Sequence, residues 1–337
     1  QEFQTIFGNY EQDTQSSGSG IIIGKNDTEL LIVTNNHVVS GAKELSVYFN
    51  SDGDAADDSN VISAKIKGTD PNKDLAVIAV KLSDIPDETM ESIKIATVGD
   101  SSALKVGEPV VAIGNAYGYG LSVTSGIVSA LNREVTVQSD GQNITNKLIQ
   151  TDAAINPGNS GGALVDDEGK LIGINTLITS YSGNYSGVGF AIPVNYAINL
   201  AQQIIAGETP THAQLGVSLS TVSAATASRY GLPVDAGAYV AAVTPDSGAA
   251  AAGIVPGDIV TAFDGQAVES ASDLMLDVRT KNPGDTVTLT VNSGGQEKEV
   301  QVTLGDDSAS QKAKQEQQSQ EQSMNGYSLE DLFGRQR

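Results

Sequence analysis

The chain has 337 residues, which is enough for two or three domains that each bury their own core. Its 41 acidic and 19 basic residues give a formal net charge of −22, so we expect no nucleic-acid partner. No cysteine is present and histidine occurs only twice, which excludes thiolate chemistry and disulfides and predicts neither a metal nor a cofactor. No apolar run reaches the roughly 18 residues that a membrane span needs.

Short apolar runs separated by turn residues dominate the chain after an N-terminal segment (residues 1–18). Gly20–Gly24 and Glu29–Thr34 predict a hairpin. Further strand candidates lie at residues 43–49, 75–80, 106–114, 121–131, 148–152, 163–165, 171–175 and 188–192. Such a series of short strands predicts an antiparallel barrel or sandwich. The first helix signal is Val194–Ile205, with Pro193 before it and Gly207 after it. The acidic run at residues 51–58 predicts a solvated hairpin tip.

A second, smaller unit follows residues 208–213, which resemble a linker and contain His212, expected to be exposed. Strands near residues 215–219, 238–243, 259–263, 286–291 and 299–304 and helices near 247–253 and 272–281 predict a compact α/β unit of about 90 residues. From Asp306 onward glutamines crowd the chain, which predicts disorder. The predicted organisation is therefore a segment 1–18, a β domain 19–207, a linker 208–213, a second domain 214–305 and a tail 306–337.

The stretch Asn156–Gly162 places Ser160 between glycines. Gly158 and Gly161 lack a Cβ, so the backbone can turn tightly, and the N–H groups of Gly158 and Ser160 could face one hollow for an oxyanion. On these residues alone, a glycine-rich surface turn remains an equal alternative. We place the oxyanion hole at Gly158, Asn159 and Ser160.

A nucleophilic serine needs a base and an acid that orients it. His37 follows a predicted strand directly; a lone histidine is more often structural, but this is where a base would be required. Asp74 precedes the apolar run Leu75–Val80, and a carboxylate buried there would need a partner such as an imidazole N–H. Asp70 is the competitor, although before Pro71 it is better suited to capping the turn. The chain order His37, Asp74, Ser160 is that of the chymotrypsin barrel.

Three stretches resemble the catalytic motifs of the HtrA (DegP-like) serine protease family. They are Thr34-Asn35-Asn36-His37-Val38-Val39, Asp74-Leu75-Ala76-Val77 and Asn156-Pro157-Gly158-Asn159-Ser160-Gly161-Gly162-Ala163-Leu164. Gly114-Asn115, Val123–Val128 and Gly189–Pro193 resemble other stretches of the same family. The resemblance implies a mainly β fold, with a chymotrypsin-like pair of six-stranded β-barrels, a triad in the cleft between them, and an α/β PDZ domain after them.

The resemblance also suggests where ligands bind. The PDZ loop that would hold a peptide C-terminus corresponds to Leu215, Gly216 and Val217, with Gln214 where many relatives carry an aromatic residue. Ala154, six residues before Ser160, would line the primary pocket together with Ile155, Phe190 and Ala191. Because no acid is present there, we expect cleavage after small or medium aliphatic residues.

The function implied by the resemblance is an ATP-independent serine endopeptidase that degrades misfolded proteins outside the bacterial cytoplasm. The alternative is a non-proteolytic chaperone or PDZ-type adaptor on the same scaffold. Expected partners are unfolded polypeptides and peptide C-termini, in a homotrimer or higher oligomer assembled partly through Phe3, Phe7 and Tyr10. A membrane would be reached only through an anchor upstream of Gln1.

The loops at residues 115–120 and 180–186 correspond to regulatory loops of the family. The Asn156–Gly158 peptides are hypothesised to be misoriented without substrate.

Overall fold

The structure is a computed structural model, and it describes residues 2–5, 8–11, 17–49, 61–118, 120–139, 142–176, 187–309 and 311–312. The chain divides into two compact units, with the boundary between Pro210 and Thr211. Within the described residues no helix is long and apolar enough to cross a membrane. The predicted hairpin tip at 51–58, the loop at 180–186, Phe7 and the tail beyond residue 312 lie outside the described residues.

The first unit is built mainly from β-strands. Its strands are β1 (Glu2–Thr5), β2 (Gly8–Glu11), β3 (Ile21–Lys25), β4 (Glu29–Thr34), β5 (Ser46–Tyr48), β6 (Val61–Asp70), β7 (Leu75–Lys81), β8 (Pro109–Gly114), β9 (Ser122–Ser139), β10 (Gln142–Thr151), β11 (Ala163–Val165), β12 (Leu171–Thr176) and β13 (Gly189–Pro193). Its α-helices are α1 (Asn36–Val39), α2 (Asp87–Ser92) and α3 (Val194–Ile205), and 3₁₀ turns lie at Pro71–Lys73, Leu82–Asp84 and Ala116–Gly118.

The first large sheet has the strand order β3-β4-β7-β6-β5 and confirms the predicted hairpin of β3 and β4. Its central strand β7 is buried along six consecutive residues, Leu75–Val80. The reason is that alternate side chains enter different cores: Leu75 and Val77 pack in one cluster, and Ala76, Ile78 and Val80 pack in another. A strand covered on both faces therefore shows a continuous apolar run rather than alternation.

The second sheet is a closed barrel in the order β10-β13-β12-β11-β8-β9, which confirms the mainly β fold class. The first sheet differs from the expected six-stranded barrel, because within the described residues it has five strands and stays open. An extended segment, residues 93–99, lies between the two sheets. Its Ala96 N–H donates to the Ile22 carbonyl at 2.9 Å and its Gly99 N–H to the Leu171 carbonyl at 2.8 Å. This segment thus bridges the sheets and does not complete either ladder.

Helix α3 confirms the helix predicted after Pro193 and packs against strands of both sheets. Its buried face repeats at helical spacing and consists of Val194, Tyr196, Ala197, Leu200, Ala201 and Ile204. At its far end Ile204 lies so close to Gly68 of β6 that a Cβ on the glycine would be 2.9 Å from the Ile204 Cγ2. Helix α3 therefore packs closely against the first sheet at this point.

The second unit is an α/β domain with strands β14 (Ala213–Gln214), β15 (Val217–Val222), β16 (Gly237–Val243), β17 (Ile259–Phe263), β18 (Gln266–Ala267), β19 (Thr286–Ser293), β20 (Gln296–Thr303) and β21 (Gly305–Asp306). Its helices are α4 (Ala224–Tyr230), α5 (Gly248–Ala251) and α6 (Ala271–Val278). The main sheet has the order β15-β16-β17-β19-β20, with β18 paired to β17. The β17–β18 hairpin turns at Asp264 and Gly265, whose φ values of 47° and 79° match the predicted hairpin signal.

Two predictions about the ends of this unit are wrong. Residue 305 is not its last ordered residue, because β21 pairs with β14 and the Asp307 N–H donates to the His212 carbonyl at 3.1 Å. His212 is also not exposed: its side chain is 13% accessible, and its Nδ1 lies 3.0 Å from Asp307 Oδ2. A segment that resembles a linker is held in place by an aspartate from the far end of the domain.

Candidate active site

His37 and Asp74, two of the predicted site residues, are in contact in the first unit. Strand β4 ends at Thr34, and the short helix α1 places His37 beside the turn that precedes β7. The His37 Nδ1 lies 2.9 Å from Asp74 Oδ1 and 2.8 Å from Oδ2, and the His37 backbone N–H donates to Oδ1 at 2.9 Å. When Nδ1 donates its proton to the carboxylate, Nε2 is left as the proton acceptor, which is the tautomer that a general base requires.

The turn that carries Asp74 is constrained on several sides. Asp74 has a left-handed φ of 53°, and the Asn35 side-chain N–H₂ donates to its carbonyl at 3.0 Å. The Thr176 hydroxyl donates to Asp74 Oδ2 at 2.9 Å. Asp70 caps the 3₁₀ turn instead, accepting the Asn72 N–H at 3.0 Å. The geometry therefore separates the two carboxylates: Asp70 closes the turn, and Asp74 receives the imidazole.

Residues Asn156 to Asn159 form a tight turn in front of Ser160. The Asn159 N–H donates to the Asn156 carbonyl at 3.0 Å, and Gly158 at the third position has a φ of 97°. Proline at the second position and a positive φ at the third identify a type II turn. A Cβ on Gly158 would lie 2.1 Å from the Asn115 carbonyl oxygen, so this position has no room for a side chain.

The type II turn also orients the peptide between Pro157 and Gly158. The Pro157 carbonyl accepts the Tyr117 N–H at 2.7 Å, and the chain has no cis peptide bond among its described residues. In a trans peptide the N–H points opposite to the C=O, so the Gly158 N–H points away from Tyr117. It has no acceptor among the residues that the structure describes. The Gly158 N–H is therefore available to an acceptor from outside the loop, and the misorientation of these peptides without substrate stays a hypothesis.

Ser160 is 4% exposed, and its neighbours hold its backbone firmly. The Ser19 N–H donates to the Ser160 carbonyl at 2.8 Å, and the Ser19 hydroxyl donates to the Gly158 carbonyl at 2.7 Å. On the other side the Gly161 N–H donates to the Asn175 carbonyl at 2.9 Å. The loop therefore depends on residues from before β3 and from β12.

These same residues connect the serine loop to the His37–Asp74 pair. Asn175 binds the loop at Gly161, and its chain neighbour Thr176 binds Asp74. Ser19 binds Ser160, and the Thr34 hydroxyl donates to the Ser19 carbonyl at 2.7 Å. Ser19 thus links Ser160 to the end of the strand before His37. The neighbours Asn175 and Thr176 link the serine loop to Asp74.

Three of the residues that hold the site together were not predicted from the sequence. Thr176, Asn175 and Asn35 are 6%, 0% and 0% exposed, so each is a buried polar residue at or just after the end of an apolar strand. That pattern is visible in the sequence of β12, Leu-Ile-Gly-Ile-Asn-Thr, and a buried polar side chain requires a partner. The partner itself, Asp74, is distant in sequence, so its identity required the fold.

The four residues predicted to line a substrate pocket differ in exposure. Ala191 is fully buried and Ile155 is 3% exposed, and both belong to the same core cluster of the unit that contains the closed barrel. Ala154 and Phe190 are half-buried. The Ala154 carbonyl accepts the Thr124 hydroxyl at 3.0 Å and the Asn159 side-chain N–H₂ at 3.3 Å, so two side chains fix the backbone at Ala154.

In the second unit, the predicted peptide loop precedes an edge strand. Val217 begins β15, which pairs with β16 on one side and ends the sheet order on the other. Leu215 is 5% exposed, and its carbonyl accepts the Ala249 N–H at 3.1 Å. Gly216 has a φ of 78°, and its carbonyl accepts the Thr244 N–H at 2.8 Å. With both carbonyls engaged inside the domain, the loop has a fixed shape.

Metal-binding groups of three or more acidic or histidine side chains are absent from the residues that the structure describes. Comparison with known proteins gives two family matches. Residues 18–174 match the trypsin-like peptidase domain, and residues 213–304 match the PDZ domain.

Curated relatives match most of this chain. The chain is 39% identical over 303 residues to a probable periplasmic serine endoprotease DegP-like of Halomonas elongata, covering 90% of this chain and 59% of the relative. It is 38% identical over 311 residues to the periplasmic pH-dependent serine endoprotease DegQ of Escherichia coli, covering 90% and 64%. The chain thus spans about three fifths of the length of the curated relatives that it matches.

Solved structures agree with the sequence relatives. The structure described as HtrA-type protease AlgW with decapeptide superposes with a TM-score of 0.59 at 36% identity, covering 90% of this chain and 86% of that one. The corresponding structure with tripeptide gives a TM-score of 0.57 at 39% identity, covering 86% and 89%. The match to a solved HtrA-type protease at 36% identity over 86% of its length shows that the chain belongs to the HtrA-type (DegP-like) serine protease family.

Proposed function

We propose that this protein is a serine endopeptidase that cleaves unfolded polypeptides by acyl-enzyme chemistry. The observation that carries the proposal is the pair of contacts at Asp74, which accepts both the His37 Nδ1–H and the Thr176 hydroxyl. A carboxylate with these two donors holds the imidazole in one tautomer and one plane.

In the proposed first step the Ser160 hydroxyl oxygen attacks the carbonyl carbon of the scissile peptide. His37 Nε2 removes the hydroxyl proton, and Asp74 stabilises the imidazolium that forms. The C–N bond then breaks as His37 gives that proton to the leaving amine, and the acyl group stays on Ser160. Water, deprotonated by the same nitrogen, attacks the ester and releases the acid, which restores Ser160.

The negative oxygen of the tetrahedral intermediate needs hydrogen-bond donors that are already oriented. We propose the Gly158 N–H as one donor, since the Tyr117–Pro157 bond and the type II turn support that orientation without a substrate. The Ser160 N–H is proposed as the second donor. Asn159, also placed in the hole by the sequence analysis, contributes through its position between them, while its side chain holds the Ala154 carbonyl.

Substrate preference follows from the wall beside Ser160. Ala154 and Phe190 offer apolar surface and no acidic group, so we propose cleavage after small or medium aliphatic residues. The PDZ unit is proposed to bind peptide C-termini along the free edge of β15, with the carboxylate at Leu215, Gly216 and Val217. The related HtrA-type protease AlgW has been solved with a decapeptide, which supports a peptide ligand for this scaffold.

The relatives named as periplasmic support a location outside the bacterial cytoplasm. The homotrimer or higher oligomer is also a proposal. Phe3 and Tyr10 are paired in the register of the β1–β2 hairpin, and this hairpin pairs with no other described strand.

The decisive test is Ser160→Ala. Wild type and variant are incubated with unfolded casein, and fragments are followed by gel and mass spectrometry. A sulfonyl fluoride should add mass to the wild type at Ser160 and not to the variant. Ser125→Ala, an exposed residue of β9 in the same unit, serves as the control and should cleave normally. Cleavage that survives Ser160→Ala would refute the serine mechanism.

The same variant tests the chaperone alternative. If Ser160→Ala stops cleavage and still suppresses aggregation of a folding client, the scaffold also binds unfolded chains independently of catalysis. If the wild type neither cleaves casein nor reacts with the sulfonyl fluoride, a binding or adaptor role replaces the enzyme proposal.

A further inference from the structure

Lys73 occupies an unusual position directly before Asp74. It is the last residue of the Pro71–Lys73 turn and is only 8% exposed, whereas lysine is rarely buried to that extent. Its ammonium lies 4.7 Å from the centroid of the Tyr196 ring, which is itself 5% exposed. An ammonium over an aromatic face at this distance is attracted by the ring quadrupole, and the attraction is stronger away from water.

Tyr196 lies on α3, which contacts strands β6 and β7 of the first sheet and β12 and β13 of the barrel. The ring is anchored because its helix buries Val194, Ala197 and Leu200 on the same face. The Lys73–Tyr196 contact therefore connects the turn that carries Asp74 to a helix supported by both sheets.

A second contact reaches the same turn from the barrel. The Asn146 side-chain N–H₂ of β10 donates to the Asn72 carbonyl at 3.0 Å. The turn is thus fixed at two consecutive residues, Asn72 and Lys73, immediately before Asp74 adopts its left-handed φ of 53°. A non-glycine residue holds such a conformation only when its surroundings constrain it more than the local preference opposes it.

We propose that Lys73 is a positioning residue for the proteolysis proposed above: its ammonium, seated on Tyr196, sets the backbone angle at Asp74. That angle places the carboxylate where it accepts from both N–H groups of His37 and from the Thr176 hydroxyl. Lys73 does not touch the reacting atoms. Its effect on the reaction passes through Asp74 to His37.

The proposal predicts a specific kinetic pattern. Lys73→Met keeps the length and apolar stem of the side chain and removes the charge. We expect kcat on a peptide substrate to fall about three- to thirtyfold, the range that a cation–π contact of this kind spans, with KM nearly unchanged. Lys73→Arg keeps a cation over the ring and should recover most of kcat.

Changes at Tyr196 should give the matching result. Tyr196→Phe keeps the aromatic face and should remain close to wild type, whereas Tyr196→Leu should lower kcat as Lys73→Met does. Because both changes remove one contact, the double variant should lose about as much as either single variant. Lys81 is an exposed lysine at the end of β7, so Lys81→Met controls for the loss of a positive charge. Its kcat should equal that of the wild type.

A substrate-free measurement separates this proposal from the proteolysis itself. The His37 Nδ1 proton, hydrogen-bonded to Asp74, gives a downfield NMR resonance that Lys73→Met and Tyr196→Leu should shift or broaden, while Tyr196→Phe and Lys81→Met leave it in place. If the wild type fails to cleave any peptide, the proteolysis proposal falls and the resonance still decides the role of Lys73. A folded Lys73→Met protein with unchanged kcat and resonance, or with a change in thermal stability alone, would overturn it.

Discussion

The hydroxyl of Thr176 donates to Oδ2 of Asp74 at 2.9 Å, and this single bond joins the last residue of a barrel strand to the carboxylate that orients His37. Thr176 is 6% exposed, so the donor of this bond is shielded from water. Asp74, the proposed acid, is therefore held by the sheet that carries the serine loop, although it precedes a strand of the other sheet.

Replacing Thr176 by valine keeps the shape of the side chain and removes this donor. A hydrogen bond to an ionised group contributes about 1.5–3 kcal/mol. We therefore expect kcat/KM to fall about ten- to a hundredfold, measured with a chromogenic peptide. Thr176→Ser keeps the hydroxyl and should retain most of the activity. Equal activity of the valine and serine variants would show that Asp74 does not depend on this bond.

Gly158→Ala should disable the oxyanion hole and leave Ser160 in place. Its Cβ would overlap the Asn115 carbonyl oxygen, and a φ of 97° is strained for alanine, so the turn should rearrange and reorient the Gly158 N–H. Loss of one such donor typically lowers kcat about a hundred- to a thousandfold.

Gly169→Ala is the matched control, because Gly169 has a φ of 77° and nothing within 4 Å of an added Cβ. It carries similar backbone strain without the overlap, in a turn away from Ser160. Thermal melts of both variants report the strain. Comparable kcat values for the two variants would argue against Gly158 as a donor.

The contact between His212 and Asp307 predicts acid sensitivity of the second unit. Burial raises the pKa of Asp307, but hydrogen bonds from the His212 ring and backbone outweigh it, and the net pKa lies below the usual range. A carboxyl whose pKa is lowered by folding contributes stability above its unfolded pKa, and that contribution is lost as the pH falls through the folded pKa.

Asp307→Asn should therefore lower the melting temperature of this unit at pH 7 by about 4–8 °C, which is roughly the effect of 1 kcal/mol on a domain of this size. The difference from wild type should shrink as the pH falls from about 4, the ordinary pKa of an unfolded aspartate, towards the lower pKa of the folded carboxyl. Asp235→Asn, an exposed carboxyl, should not change the melting temperature. Calorimetry at several pH values provides the measurement, and a difference that is constant with pH would contradict the assignment.

Gly216→Ala should weaken peptide binding by the second unit. The φ of Gly216 is 78°, and an added Cβ would lie 2.2 Å from the Ser247 Cβ, so the loop before β15 must shift. We expect at least a tenfold rise in Kd for a fluorescent peptide with a free C-terminus, measured by anisotropy, because the proposed carboxylate site consists of this backbone.

Gly231→Ala is the matched control. Gly231 has a φ of 64° and nothing within 4 Å of an added Cβ, so this variant carries backbone strain without displacing the loop before β15. It should bind the peptide normally. If Gly216→Ala binds as tightly as wild type, the carboxylate does not lie at this loop.

Much of the site was predictable because its chemistry is local. The glycines around Ser160, the histidine after β4 and the aspartate before a buried strand each follow from short-range rules. Asp70 and Asp74 could be distinguished in the same way, since Asp70 stands before proline and caps its own turn. The buried run Leu75–Val80 and the helix Val194–Ile205 were equally visible.

What the sequence did not reveal depends on pairs that are far apart along the chain. Ser19 with Ser160, Thr176 with Asp74 and His212 with Asp307 become neighbours only when the sheets form. His212 was misjudged because Thr-Pro-Thr-His has the composition of a linker, and its partner occurs where the chain turns rich in glutamine. The resemblance implied six strands in the first sheet, whereas five pair there among the described residues, since residues 93–99 contact both sheets without joining a ladder.

The order of His37, Asp74 and Ser160 along the chain has a consequence for synthesis. A ribosome completes the strands that carry His37 and Asp74 before it has made Ser160, and Thr176 emerges later still. A nascent chain therefore carries the proposed base and acid before it carries the proposed nucleophile. A chain interrupted before Ser160 would also lack the Thr176 hydroxyl that donates to Asp74, and it would not cleave a peptide by the proposed mechanism.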